Sequence, residues 1–248
     1  MLSLVSFDLK GAYNGVDKDV LAQRLRNRKI PEQIVQWVYA FCSQRKASIV
    51  VNGTESEVVD IKHAGLPQGS PLSPILFLFY NAELVASKLT LNGGSVAFVD
   101  DYTVWVIGND ITSNVNKIQS EILPKTERWS LESGATFEPE KTQFIHFTRN
   151  SKRTRQDSPT LSFMGQTIKP APEIKVLGLV LNQGLRFHSH AAKAAKRGER
   201  AAMALRRLKG INPKTARQLF TATVAPITDY GSPIWSCLLY TSPSPRDS

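Results

Sequence analysis

The sequence predicts an α+β fold in which an antiparallel sheet is backed by helices. Apolar, β-branched runs of strand length alternate with longer helix-like runs along the chain. Short turns join neighbouring strand-like runs at two points. Asn52-Gly53 lies between 47–51 and 57–61, and Asp100-Asp101 forms a second turn further along. Short connections of this kind favour antiparallel pairing of the strands that they join.

The remaining elements follow in order, beginning with a strand-like run over 2–7. Asp17 is a good N-cap for a helix that ends near residue 28, and Pro31 begins a second helix. The apolar face predicted for this second helix consists of Ile34, Val35, Trp37, Val38 and Phe41. Further elements are helices over 113–133, 189–209 and 213–224, and a polar loop over 150–159.

Composition places the chain among basic globular proteins. It has 248 residues, 42% hydrophobic residues and a formal net charge of +10. The charge favours a polyanionic partner, although many basic proteins bind none. Cys42 and Cys237 give no disulfide framework and indicate reduced thiols in an intracellular protein. No apolar run approaches about 18 residues, and the start lacks the basic region of a signal peptide, so no membrane partner is expected.

Two adjacent carboxylates occupy the turn between 95–99 and 102–107. Asp100 and Asp101 repel each other there, and a two-residue turn normally prefers Gly or Asn. A third carboxylate, Asp8, follows the first strand-like run. Carboxylates at the ends of adjacent strands can hold two Mg²⁺ ions about 3.5–4 Å apart, as in-line phosphoryl transfer requires. Two neighbouring aspartates by themselves are more often a solvated turn.

A glycine-bearing loop precedes an apolar, helix-like run in the middle of the chain. The loop spans 65–71. Ser70 is a favourable N-cap, and Pro71 falls at the first helical position, where its missing N–H costs nothing. Such a loop lets the backbone approach a ligand closely and directs the positive end of the helix dipole toward it.

Three segments in this order resemble motifs A, B and C of reverse transcriptases. They are FDLKGAY at 7–13, GLPQGSP at 65–71 and FVDD at 98–101. More narrowly, they resemble the motifs of non-LTR (LINE-type) retrotransposons, especially fungal ones, and the resemblance extends over 4–235. Val99 departs from the pattern, because most of the family has alanine there.

The resemblance implies a polymerase palm that uses two Mg²⁺ ions, for which Mn²⁺ is a substitute. Asp8 and Asp100 would bridge both ions, with Asp101 as a supporting carboxylate and the Leu9 carbonyl as a further ligand. One ion would activate the primer 3′-hydroxyl, and the other would hold the triphosphate and the leaving pyrophosphate.

The resemblance also assigns the nucleotide-binding residues. Tyr13 matches the steric gate, which excludes a ribose 2′-hydroxyl by volume. Gln68 and Gly69 would contact the incoming nucleotide and the templating base. Without the motifs, Tyr13 would be an ordinary half-buried aromatic residue, and Gln68 and Gly69 would belong to a simple turn.

Two later segments resemble motifs D and E. FEPEKT at 137–142 precedes a strand, and its Lys141 is a candidate general acid for the departing pyrophosphate. A surface lysine without a role is the alternative. Residues 175–181, with Leu177 and Gly178 at their centre, resemble the primer grip, a hairpin that positions the primer strand. A plain buried strand is the alternative here.

The resemblance divides the chain into a palm with a remnant of the fingers at 1–182 and a basic, helical partial thumb at 183–236. The basic residues expected to track the phosphates of a template–primer duplex are Lys193, Lys196, Arg197, Arg200, Arg206 and Arg207. A solvated helix face is the alternative for them. Residues 237–248 resemble the in-frame translation of a sequencing-library adapter, and we expect them to be disordered.

The expected function is that of an RNA-directed DNA polymerase. It would extend a DNA primer or target end on an RNA template with deoxynucleoside triphosphates, in the nucleus at the site of integration. Because the chain begins almost at motif A, we expect a fragment that lacks most of the fingers and polymerises weakly or not at all. The alternatives are a group II intron maturase, a viral RNA-dependent RNA polymerase, which Tyr13 disfavours, and a relic that only binds nucleic acid.

Overall fold

The computed structural model describes residues 1–61, 65–86, 92–148 and 159–236. Apart from its last residue, the loop predicted over 150–159 lies outside these ranges, as does the tail at 237–248. The chain divides into two compact units, Met1–Ala171 and Pro172–Ser248.

The first unit is built on a five-stranded antiparallel sheet with β1 (Leu2–Lys10) at its centre. The other strands of this sheet are β6 (Gly93–Phe98), β7 (Asp101–Ile107), β8 (Thr136–Phe137) and β9 (Gln143–Phe147). On one side, β1 pairs with β7, which pairs in turn with β6. On the other side, β1 pairs with β9 along its first half and with β8 near its end.

Burial along β1 alternates with the two-residue period of a strand. Its buried side chains are Ser3, Val5, Phe7 and Leu9. The ring of Phe7 stacks on Tyr102 of β7 with their centroids 5.6 Å apart. Alternation sends the side chain of Asp8 to the opposite face of the sheet, which leaves it accessible.

Helices pack against the buried face of this sheet, which confirms the predicted α+β palm-like architecture. Their bounds are α1 (Lys18–Asn27), α2 (Glu32–Phe41), α3 (Leu72–Ala86), α4 (Ile111–Lys117) and α5 (Leu123–Ser133). Asp17 caps α1 as predicted, because its carboxylate accepts hydrogen bonds from the N–H groups of Asp19 and Val20. A π-helical turn, Ile118–Ile122, joins α4 to α5 just before Pro124, which cannot donate a backbone hydrogen bond.

A buried arginine connects three of these helices. Arg24 of α1 donates to the Tyr80 carbonyl of α3 and pairs with Glu83, with Nε and Oε2 3.2 Å apart. Its guanidinium lies 4.7 Å from the ring centroid of Tyr80 and 5.4 Å from that of Trp129 in α5. Burial lowers the pKa of Arg24, and these partners make its charge tolerable inside the unit.

The acidic turn lies one residue earlier than the sequence indicated. Phe98 of β6 stands opposite Asp101 of β7, so the two-residue loop is Val99-Asp100, and Asp101 belongs to the strand. Val99 has a φ of +55°, a left-handed conformation that is unfavourable for a β-branched residue. The register between β6 and β7 gives this position, and the sequence of the turn alone does not reveal it.

The predicted apolar face of α2 is only partly buried. Val35 and Val38 lie in the core, but Ile34 is 50% exposed and Trp37 is 54% exposed. The ring of Trp37 stacks on Phe41 instead, with centroids 5.7 Å apart. Only part of the predicted apolar face therefore belongs to the core of the described residues.

The start of α3 differs from the prediction by one residue. The helix begins at Leu72, and Pro71 lies in the preceding turn. The Ser70 hydroxyl still acts as a cap, since it accepts a hydrogen bond from the Leu72 N–H at 3.3 Å.

Short hairpins complete the first unit. The predicted Asn52-Gly53 turn is confirmed, and both residues have positive φ. The strands of these hairpins are β2 (Lys46–Ala47), β3 (Val50–Val51), β4 (Thr54–Glu55), β5 (Val59–Asp60), β10 (Leu161–Phe163) and β11 (Gln166–Ile168). Across the described ranges, no helix combines the length and apolar character needed to span a lipid bilayer.

The second unit consists of one hairpin followed by helices. Its elements are β12 (Glu173–Val176), β13 (Leu179–Asn182), α6 (His188–Arg206), α7 (Pro213–Leu219), α8 (Ala225–Thr228) and α9 (Ser232–Trp235). The buried stripe of α6 is His190, Ala194 and Gly198, spaced four residues apart. His190 anchors the helix to the hairpin, because its Nδ1 accepts the Val180 N–H at 3.2 Å.

Candidate active site

Strand pairing brings two of the predicted acidic residues face to face. In the register between β1 and β7, Asp8 stands directly opposite Asp101. Directly opposed residues of an antiparallel pair project to the same face with Cβ atoms about 4.5–5.5 Å apart. The Leu9 N–H also donates to the Asp100 carbonyl at 3.2 Å, which fixes the hairpin loop against the end of β1.

The third carboxylate, Asp100, lies in the exposed loop of the hairpin. Over the four described ranges, no group of three or more His, Cys, Asp or Glu side chains is arranged to hold a metal ion. The roles of Asp8, Leu9, Asp100 and Asp101 as metal ligands therefore stay predictions. Their oxygen atoms are nevertheless the hard ligands that Mg²⁺ prefers.

The ammonium group of Lys141 forms an ion pair with the carboxylate of Asp8. The Lys141 Nζ is 3.2 Å from Asp8 Oδ2, and it also forms an ion pair with Glu138. Positive charge is thus accommodated at Asp8, as a divalent cation would require. The segment that carries Lys141 reaches β1 because β8 pairs with Leu9 and Lys10, and the Glu138 N–H then donates to the Asp8 carbonyl at 2.9 Å.

Glu138 is a site residue that the sequence motifs did not single out. Burial raises the pKa of the Asp8 carboxyl, Lys141 lowers it, and the contact with Glu138 raises it again, so the net shift is upward. The pKa of Glu138 is lowered, chiefly by Lys141, and the pKa of Lys141 is raised by both carboxylates. The spacing of Glu138 and Lys141, three residues apart, is a signal that could have suggested this ion pair.

The loop before α3 is joined to the segment after β1 by a close backbone contact. The Leu66 N–H donates to the Tyr13 carbonyl at 2.8 Å. A Cβ atom on Gly65, whose φ is +50°, would lie only 2.3 Å from the same carbonyl oxygen. The ring of Tyr13 packs edge-on against Phe77 of α3 with centroids 5.7 Å apart. Motifs A and B are thus in contact, with a glycine where no larger residue fits.

Gln68 and Gly69 are exposed in the turn that leads into α3. Gly69 has a φ of +86°, and nothing lies within 4 Å of a Cβ built on it. The structure therefore leaves both residues accessible, and their predicted contacts with a nucleotide remain untested.

In the second unit, the segment that resembles motif E forms the expected hairpin. Leu177 and Gly178 make its two-residue loop, and both have positive φ. The Tyr230 hydroxyl donates to the Leu177 carbonyl at 2.7 Å and holds the loop in place. The hairpin geometry agrees with the prediction, whereas contact with a primer stays a prediction.

Four of the basic residues predicted to track phosphates share one exposed side of α6, whereas Arg206 lies on another side of the helix and Arg207 follows its end. At 100° per residue, Lys193, Lys196, Arg197 and Arg200 fall within an arc of about 100°, and all four are exposed. Lys193 also pairs with Glu173 of β12, with Nζ and Oε2 3.4 Å apart. The remaining three therefore form the more accessible cationic surface.

An antiparallel sheet that is backed by helices, with two opposed carboxylates on one face, has the architecture of a polymerase palm. Residues 2–181 match the family model described as reverse transcriptase (RNA-dependent DNA polymerase). The chain belongs to the reverse transcriptase family.

The relatives of the chain point to mobile elements. It is 25% identical over 232 residues to a 115 kDa protein of the type-1 retrotransposable element R1DM from Drosophila melanogaster, covering 92% of this chain and 22% of that protein. It is 28% identical over 188 residues to the RNA-directed DNA polymerase from mobile element jockey of Drosophila funebris, covering 74% of this chain and 20% of that protein. The chain thus spans about a fifth of the length of these relatives. They confirm the resemblance to non-LTR reverse transcriptases, while the narrower fungal affinity stays a prediction.

Solved structures agree on the fold. Telomerase from Candida tropicalis, in complex with a fragment of telomeric RNA, is similar with a TM-score of 0.52 and 13% identity, covering 98% of this chain and 40% of that one. The apo form of that telomerase gives a TM-score of 0.51 and 14% identity, covering 75% of this chain and 32% of that one. At such low identity, this likeness concerns the fold alone.

Proposed function

We propose that the chain is the palm and partial thumb of an RNA-directed DNA polymerase of a non-LTR retrotransposon. It would extend a DNA 3′-end on an RNA template with deoxynucleoside triphosphates. The observation that carries this proposal is the apposition of Asp8 and Asp101 on one face of the palm sheet, with positive charge from Lys141 already held there. Target DNA is chromosomal for such an element, so we propose action in the nucleus.

Asp8, Asp100 and Asp101 would hold divalent cations together with the Leu9 carbonyl. Asp101, which the resemblance gives only a supporting role, is the residue that stands directly opposite Asp8. Two Mg²⁺ ions, or Mn²⁺ in their place, supply activation of the primer hydroxyl and neutralisation of the triphosphate when bound. The residues must keep their oxygen atoms converged, and the Leu9 to Asp100 hydrogen bond supports this by fixing the loop to β1.

Tyr13 would select the sugar of the incoming nucleotide. Its ring is braced by Phe77, which restrains its rotation and makes it a firm steric barrier to a 2′-hydroxyl. Gln68 and Gly69 would face the nucleotide from the exposed turn before α3. Lys141 would protonate the leaving pyrophosphate, since an ammonium within reach of the metal ligands is also within reach of the phosphates that they hold.

The second unit would grip the template–primer duplex. The hairpin loop at Leu177 and Gly178 would support the primer, and Lys196, Arg197 and Arg200 would contact phosphates. Contacts of this type give affinity that falls with salt and carries no sequence preference.

Single-nucleotide extension of a DNA primer on an RNA template tests the proposal. The 248-residue protein should incorporate a labelled deoxynucleotide slowly with Mg²⁺ or Mn²⁺. Asp8→Asn should reduce incorporation by about 100-fold or more, because it removes charge where the transition state needs it, and should leave duplex binding unchanged. Asp60→Asn, in an exposed ion pair with Lys46, is the matched control and should change neither property.

The test also separates polymerase from relic. Duplex binding without any incorporation by the unsubstituted chain would favour a protein that only binds nucleic acid. Incorporation that is equal in the unsubstituted chain and in Asp8→Asn would refute the assignment of the active site.

A further inference from the structure

We propose that Lys141 is a displaceable counter-ion of Asp8, which a divalent cation replaces. Glu138 is the positioning residue that keeps Lys141 near the site after the replacement. In the absence of divalent cations, the Lys141 ammonium would occupy Asp8. When a cation binds, the ammonium would leave Asp8 but remain on Glu138, close to the site. This inference rests on the proposed function, because it requires Asp8 to be a cation ligand.

Hydrogen bonds hold the backbone of this segment in place, whereas its lysine side chain is largely exposed. The Glu138 carbonyl accepts the Lys141 N–H at 3.1 Å and the Thr142 hydroxyl at 3.2 Å. Pro139 restricts the turn further. By contrast, the Lys141 side chain is 63% exposed and has a flexible four-carbon stem. The ammonium can therefore change partners without any change in the fold.

The lysine and a divalent cation compete for the same group. Lys141 Nζ is 3.2 Å from Asp8 Oδ2, which is within direct hydrogen-bond distance. A divalent cation on that oxygen would repel an ammonium at this distance, since like charges a few ångströms apart are strongly unfavourable. Lys141 must therefore withdraw from Asp8 for the cation to bind.

Glu138 is a second partner of Lys141, and it keeps the ammonium near the site when the ammonium leaves Asp8. It lies three residues before Lys141, pairs with the same ammonium, and is anchored to Asp8 through the backbone. A displaced Lys141 that stays on Glu138 would remain beside the bound cation, where a proton donor for pyrophosphate is needed. Lys141 would thus neutralise Asp8 before the cation binds, and Glu138 would position Lys141 afterwards.

Binding of Mn²⁺ alone to the 248-residue protein, followed by electron paramagnetic resonance without nucleotide or nucleic acid, tests this directly. Lys141→Met should tighten Mn²⁺ binding by about three- to fivefold, because a competing unit charge is removed. Lys46→Met is the matched control, because Lys46 is 64% exposed and also belongs to an exposed carboxylate pair. It should leave Mn²⁺ binding unchanged.

The role of Glu138 is tested by a double-mutant cycle. Glu138→Gln should weaken Mn²⁺ binding by about threefold, because Lys141 then has only Asp8 as a partner. In the Lys141→Met background, the same substitution should have a clearly smaller effect. An equal or larger effect in that background would make Glu138 a direct ligand and overturn the proposed positioning role.

Two further outcomes are distinguishable. If Asp8→Asn leaves Mn²⁺ binding unchanged, the proposed cation site is wrong, and the proposed function fails with it. If Asp8→Asn abolishes Mn²⁺ binding while Lys141→Met does not tighten it, the proposed cation site is supported, and the role of Lys141 as a displaceable counter-ion is refuted. Thermal unfolding of each variant checks that all of them are folded.

Discussion

Replacement of Gly65 by alanine should break the contact between motifs A and B. The new Cβ would lie 2.3 Å from the Tyr13 oxygen and 2.6 Å from the Asn14 oxygen, and both are backbone atoms that cannot rotate away. The positive φ of +50° adds a penalty of about 1–2 kcal/mol for any residue with a Cβ. Relief of the clash should cost about 1–3 kcal/mol more. Loss of the 2.8 Å hydrogen bond from Leu66 to Tyr13 should cost about 1 kcal/mol in addition.

Gly69→Ala is the matched control, because Gly69 also has a positive φ but has nothing within 4 Å of the added carbon. Urea unfolding followed by far-ultraviolet circular dichroism should give a loss of about 3–6 kcal/mol for Gly65→Ala and about 1–2 kcal/mol for Gly69→Ala. Equal losses in the two variants would show that the backbone contact at Gly65 does not limit stability, and the reasoning would be refuted.

Two further predictions concern stability. Because Val99 has a φ of +55°, Val99→Gly should be more stable than Val99→Ala by about 1 kcal/mol in urea unfolding; the opposite order, which is usual where φ is negative, would show that the turn relaxes. Burial lowers the pKa of His146 to about 4, and its Nδ1 lies 2.7 Å from the Ser3 hydroxyl. As pH falls below about 6.5, His146 takes up a proton in the unfolded chain but not in the folded one. The free energy of unfolding should therefore drop by about 2 kcal/mol between pH 7 and pH 5, and this drop should be smaller in His146→Gln. An unchanged pH dependence in that variant would assign the effect to other groups.

Much of the local structure could be predicted from single residues. Asp17 caps α1 and Asn52-Gly53 forms a hairpin turn, because each depends on contacts between chain neighbours. The hairpin of the motif E segment was expected from the family resemblance and not from its residues alone. The three motifs also identified the family, since the residues within each motif are adjacent in the chain and can be recognised without the fold.

Contacts between distant residues could not be predicted in the same way. The turn of the acidic hairpin was misplaced by one residue, and Glu138 was overlooked although it lies beside Asp8. Only part of the apolar face of α2 is buried, because hydrophobic periodicity shows which face is apolar but not whether a neighbour covers it.

The sequence by itself determined which side chains can do the chemistry and which strands, turns and helices carry them. The tertiary structure alone decided that Asp8 faces Asp101, that Gly65 touches Tyr13, and that Lys141 and Glu138 reach Asp8. The physical reason is that strand alternation repeats every two residues, so a pattern fixes which face a side chain takes but not which residue stands opposite it. That choice is made by the packing of the whole sheet against its helices.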